Sequence, residues 1–194
     1  MQYDQLFNTL KDLKQIKNFS QQITDIENSI NSGGFININN PYNSEAIDKI
    51  EVICNKFHQI VQQMRSRYNS RRTLEINDEY DVQDLFHSLL TLSFDDIRKE
   101  ESNPSFAGAN SRSDFWLKPE QTIIEIKKTR AGLKDKQLGE ELTLDIIKYQ
   151  SHRDLKNLVC FVYDPEEIIQ NRECLERDLE QVTKNITVKV FIRP

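Results

Sequence analysis

The sequence predicts an α/β (α+β) chain in which helices cover one sheet and a helical arm precedes it. Three observations lead to this. Apolar residues recur every three or four positions through much of the first third, which is the period of amphipathic helices. From Asp78 onward, stretches of helical and strand pattern alternate, an order that produces a sheet with helices packed on it. Leu158 to Tyr163 (L-V-C-F-V-Y) is continuously apolar, as expected of a strand covered on both faces.

Between Gln2 and Asn31, Leu6, Leu10, Leu13, Ile16, Ile23, Ile26 and Ile30 have the spacing of one or two amphipathic helices, ended by Ser32-Gly33-Gly34. A polar, Asn-rich loop from Phe35 to Asn43 leads to a second helical run, in which Ile47, Ile50, Ile53, Cys54, Phe57, Ile60, Val61 and Met64 share a face. Together these form a helical arm over residues 1–72, expected to pack on the core or on a partner. Arg65, Arg67, Arg71 and Arg72 end the arm; a solvated helix end, a phosphate contact and a partner contact are all open readings.

At Asn77 the character changes, and residues 73–194 form the second expected region. Asn77 or Asp78 caps a helix with Glu79 and Asp81 in its first turn, where the helix dipole favours acids. Val82, Leu85, Phe86, Leu89 and Leu90 make its buried face. Phe94 to Lys99 is an expected strand and Pro104 to Asn110 a small-residue loop. Ser111 to Arg130 reads as two strands joined by a Lys118-Pro119-Glu120-Gln121 turn. After Gly132 comes a helix from Lys134 to about Ser151, with Leu138, Leu142, Ile146 and Tyr149 on one side. Asp164-Pro165 stops the apolar strand that follows. A helix from about Asn171 to Thr183 and a strand from Thr187 to Ile192 complete the order.

With 194 residues the chain is long enough to bury one core, and its apolar runs are of strand length, too short to span a membrane. Three widely spaced cysteines, Cys54, Cys160 and Cys174, without a CxxC pair, point to reduced thiols in a cytoplasm and away from a zinc site. A net charge of -5 does not suggest a general nucleic-acid binder, yet a local basic surface is enough to bind one.

The hairpin carries the chemistry. Asp114, Glu125 and Lys127 form an Asp-x10-Glu-x-Lys pattern, and period two along the strand puts Glu125 and Lys127 on one face with Ile124 and Ile126 on the other. Pairing as a hairpin would bring Asp114 to the same edge. Two carboxylates suit Mg2+, a hard ion that takes oxygen ligands and keeps waters. Desolvating such a trio is costly, so a chain rarely builds it for stability alone.

Residues 78 to about 183 resemble the PD-(D/E)xK nuclease superfamily and, within it, the DpnII/MboI-type restriction-endonuclease-like branch. The resemblance lies in D-E-Y-D-V-Q-D-L-F (78–86), P-S-F-A-G-A-N-S-R-S-D-F (104–115), E-I-K-K-T-R (125–130), G-E-E-L-T-L-D-I-I-K-Y (139–149) and F-V-Y-D-P (161–165). Two positions depart from the pattern: Ser113 precedes the lead Asp where the superfamily name has Pro, and Arg172 stands where the branch usually has Pro.

The resemblance implies a restriction-endonuclease-like core of helix, three strands, helix and strand. It implies a metal-dependent DNA endonuclease that hydrolyses phosphodiester bonds in restriction or antiphage defence, with Mg2+, or Mn2+ in its place, as cofactor. It makes Asp114 and Glu125 metal ligands and Lys127 the catalytic lysine, and adds an acid from the first core helix: Glu79, with Gln83 one turn on, or alternatively Asp84. Arg112, Lys128, Gln83 and Tyr149 become nucleic-acid contacts. For Arg112 and Lys128, ordinary strand-edge charge is the competing reading. Glu141, Asp145 and Tyr149 recur every four residues on one helix face, either lining the DNA side of a cleft or facing solvent.

His58, His87 and His152 are isolated, with no nucleophile arranged beside them, and Gly132 to Gly139 has neither P-loop nor dinucleotide-binding spacing. Trp116 is expected in the core or an interface. The expected partners are DNA and either a second copy of the chain or other subunits of a defence complex, held through the N-terminal helices, without a membrane. Two other functions stay open: a catalytically silent nuclease-like binding module in a defence or toxin complex, and an RNA nuclease using the same chemistry.

Overall fold

Ala46, Ile50, Cys54, Phe57 and Val61 fall three or four residues apart and become the buried stripe of a long helix, α1 (Pro41–Arg65). The computed structural model describes residues 41–99, 113–150 and 152–194; the helices expected within residues 2–31, the loop at 104–110 and Arg112 lie outside the described residues. Asp78 caps α2 (Glu79–Leu90): its carboxylate accepts the Asp81 N–H at 3.1 Å, and the Asp81 carboxylate accepts the Asp78 N–H at 3.3 Å. Val82, Leu85, Phe86 and Leu90 are the buried face of this helix.

Three strands follow, β1 (Ile97–Lys99), β2 (Phe115–Leu117) and β3 (Thr122–Lys128), paired antiparallel in sequence order. Then come α3 (Asp135–Tyr149), β4 (Asn157–Tyr163), α4 (Arg172–Glu180) and β5 (Thr187–Arg193). β3, β4 and β5 are parallel, so each connection must cross over the sheet, and α3 and α4 make those crossings. The order in the single sheet is β1-β2-β3-β4-β5. The turn between β2 and β3 closes with Gln121, whose N–H donates to the Lys118 carbonyl at 3.2 Å and whose φ of 50° is left-handed.

The period-two pattern divides the core into two layers. Phe115, Leu117, Ile124, Ile126, Phe161, Tyr163 and Phe191 face α1 and α2. Trp116, Ile123, Leu158, Cys160, Val162 and Val190 face α3 and α4, meeting Leu138, Leu142, Ile146 and Leu179. Aromatic rings tie α1 and α2 to the sheet: Phe57 lies 5.2 Å from Phe161 and 4.9 Å from Tyr163, and Phe86 lies 5.1 Å from Phe161. Residues from Pro41 onward form one unit, and α1 therefore shares its core with the sheet. Among the described residues, no helix is long and apolar enough to cross a membrane.

Two strands are shorter than the sequence suggests. The Phe94 N–H still donates to the Leu90 carbonyl, at 3.0 Å, so the expected strand start belongs to the turn that ends α2. Asp114, expected on the first strand of the hairpin, stands one residue ahead of β2. The cause is its own side chain, which takes a partner that a paired strand would otherwise supply.

Candidate active site

β2 and β3 pair from Leu117↔Thr122 to Phe115↔Ile124 and then part. Backbone N–H groups two residues apart point to the same side of a strand, so Ile126 and Lys128 present theirs to the edge that β2 has left. Acids fill the gap. The Asp114 carboxylate accepts the Ile126 N–H at 2.7 Å, and the Lys128 N–H acts on Glu79, the first residue of α2, favouring its charged form. Two acids separated by 35 positions, Glu79 and Asp114, thus meet at one strand edge because strand pairing stops there.

Glu125 and Lys127 rise from β3 on the face covered by α3. The Lys127 ammonium donates to Glu125 Oε1 at 2.7 Å and lies 3.6 Å from Asp145 of α3. Tyr149, one turn further along α3, donates its hydroxyl to Glu125 Oε2 at 2.6 Å. Both oxygens of Glu125 are therefore held. On Asp114, the second oxygen accepts the Gln83 amide at 2.9 Å.

Burial sets the electrostatics. Glu125 is only 6% exposed, and burial raises its pKa against the pull of Lys127 and Tyr149. Burial, then repulsion from Glu125, pushes Asp114 up to about 8. Glu79 is raised by burial too, with Lys127 and the Lys128 N–H opposing. Burial alone would discharge Lys127, yet Glu125, Asp145 and Glu79 outweigh it and raise its pKa, so the lysine keeps its proton. The Tyr149 hydroxyl is raised by burial and by Glu125, and it stays a donor.

Of the residues singled out in the sequence, Glu79, Gln83, Asp114, Glu125, Lys127 and Tyr149 are brought together. Asp84 is not: it pairs with Lys99 of β1 at 3.2 Å, so Glu79 is the α2 acid that reaches this edge. Tyr149, expected to touch nucleic acid, is 3% exposed and braces Glu125 instead, because the packing of α3 turns it into the core. Gln83 likewise serves a carboxylate. Lys128 reaches the Thr129 carbonyl, at 3.4 Å. Glu141 pairs with Arg130 at 3.2 Å. The contact of Asp145 with Lys127 had one sequence signal, the four-residue spacing of Glu141, Asp145 and Tyr149. Arg172, the departure from the branch pattern, pairs at 3.2 Å with the fully buried Asp164, which also accepts the Thr129 hydroxyl at 2.8 Å and anchors the loop after β4.

Among the described residues, no group of three or more His, Cys, Asp and Glu side chains stands so that it could hold a metal ion. Mg2+ asks for less, since it is commonly bound by one or two carboxylates with waters and substrate phosphates completing its shell. The donors fit that demand: they are carboxylate oxygens, and Asp114 is lifted to about 8 by burial and by Glu125, a repulsion that a cation between them would relieve.

The family model for the DpnII-MboI restriction endonucleases matches residues 48–194, from within α1 to the end of the chain. No curated protein and no solved structure gives a significant match.

Proposed function

Because the chain belongs to the DpnII-MboI restriction endonuclease family, we propose that it is a metal-dependent DNA endonuclease working in restriction and antiphage defence, in the cytoplasm. One observation supports the chemistry above all. Asp114, Glu125 and Glu79 are gathered at a strand edge beside Lys127, at a desolvation cost that a purely structural edge has no reason to bear.

In this reading Asp114 and Glu125 would hold Mg2+, or Mn2+ in its place, with Glu79 beside them at the same edge. Such an ion would supply Lewis acidity toward a phosphate and make a bound water more acidic. Lys127 keeps its proton, so it orients a water by donation or offsets charge developing on phosphorus, and it does not act as a base. Tyr149 and Gln83 fix the two carboxylates, Tyr149 by its bond to Glu125 and Gln83 by its bond to Asp114. Each chain brings one such edge. Cutting both strands of a duplex would then need two copies or further subunits, a contact we assign to the N-terminal arm, residues 1–72.

Duplex plasmid DNA incubated with the purified protein should be cut in Mg2+ or Mn2+ and left intact in EDTA, while matched RNA survives. Cutting that persists in EDTA, or that prefers the RNA, would overturn this function.

A further inference from the structure

Residues 65–72 (R-S-R-Y-N-S-R-R) hold four arginines in eight positions and no acid. All four are exposed, and none makes an ion pair among the described residues. Arginines elsewhere in the described chain are commonly partnered, as Arg172 and Arg193 are by Asp164 and Glu176. The segment is also shaped. Asn69 takes a left-handed φ of 56°, Arg67 donates to the Arg72 carbonyl, and the Arg71 guanidinium lies 5.9 Å from the ring centre of Tyr68. Tyr68 itself is 84% exposed, an unusual place for a large ring.

Its location ties it to the site. Arg65, the last residue of α1, is near enough to the Tyr163 hydroxyl to oppose the rise that burial gives it. Tyr163 stands level with Lys128 across the β3–β4 pair, and Lys128 is the residue whose N–H faces Glu79. Both ends of the loop between α1 and α2 thus lie at the same end of the sheet as the carboxylates. Six residues separate Arg72 from Glu79, at most roughly 25 Å of chain, a span comparable to the width of a duplex.

We propose that the Arg65–Arg72 segment holds the phosphate backbone of duplex DNA beside the site. This rests on the endonuclease reading and extends it with a positively charged surface that a chain of net charge -5 needs somewhere. Guanidinium groups match phosphate oxygens geometrically, and such contacts position a duplex without reading its sequence. The ring of Tyr68 braces Arg71, and its hydroxyl is a further phosphate donor.

The test measures binding of labelled duplexes of two unrelated sequences by fluorescence anisotropy, in Ca2+ to prevent cutting, across a range of salt. The parent is compared with Arg71→Ala/Arg72→Ala and with Arg71→Lys/Arg72→Lys; Arg65 and Arg67 are left alone because they make contacts within the fold. The alanine variant should bind both duplexes about tenfold more weakly, and its salt slope should be shallower by about two. The lysine variant should keep the parent's salt slope while binding more weakly than the parent and more tightly than the alanine variant, and thermal melts of all three should coincide. Equal affinity and slope for parent and alanine variant, with the parent still binding and cutting DNA, would overturn the surface alone. A parent that neither binds nor cuts duplex DNA would overturn the endonuclease reading and the surface with it. A loss confined to a matched RNA duplex would overturn DNA as the occupant.

Discussion

Asp114 stands where β2 and β3 part, its carboxylate bonded to the Ile126 N–H, and burial followed by repulsion from Glu125 lifts it to about 8. Between the ordinary carboxylate range and that value, the folded chain keeps a proton that the unfolded chain has released. Stability of the metal-free protein should therefore fall as pH rises from about 5 to 8. The raised pKa values of Glu125 and Glu79 act in the same direction. Urea unfolding of Asp114→Asn over this range should show a shallower fall than the parent; identical slopes would contradict the assigned electrostatics. Strand period two put Glu125 and Lys127 on one face, where the structure has them; Asp114 lies outside β2, and its reach to this edge depends on its bond to the Ile126 N–H, which spacing does not give. The roles of Gln83, Asp145 and Tyr149 were not legible, since each is set by how a helix packs on the sheet, and periodicity identifies a helix face without saying what it meets.

At the scale of elements, the helices among the described residues and the buried strand were legible in the sequence, because caps and apolar period are local signals. Asp78 caps α2 as its sequence context suggests, and the L-V-C-F-V-Y run is covered on both sides in β4. The short strands were harder: Phe94 is drawn into the end of α2, and Asp114 replaces backbone pairing with a side chain. Helix α1 was legible as a helix, while its place in the core depends on partners distant in sequence. Phe57 is fully buried against Phe86, Phe161 and Tyr163, so Phe57→Ala should destabilise the Pro41–Pro194 unit by about 3–5 kcal/mol. Because α1 and the sheet share that cluster, far-UV and near-UV signals should be lost together in urea. A cost under about 1 kcal/mol would mean that α1 contributes little to the fold that holds the site.

Within the Pro41–Pro194 unit, three layers and a mixed sheet gather residues from α2, the position ahead of β2, β3 and α3 at one end of β3. Topology, more than any single contact, brings Glu79 to Asp114: α2 starts at that end and the hairpin opens there. The membership in the DpnII-MboI family, matched over residues 48–194, agrees with a site built from the whole of this unit. The central claim is that these gathered carboxylates perform the chemistry, and single-turnover cleavage of a duplex by Glu125→Gln tests it most directly. Glutamine keeps the shape of the side chain and an acceptor for Tyr149 while removing the charge. The rate should fall about a hundredfold or more relative to the parent, with duplex binding retained. A variant that cuts within a few fold of the parent rate would contradict the account.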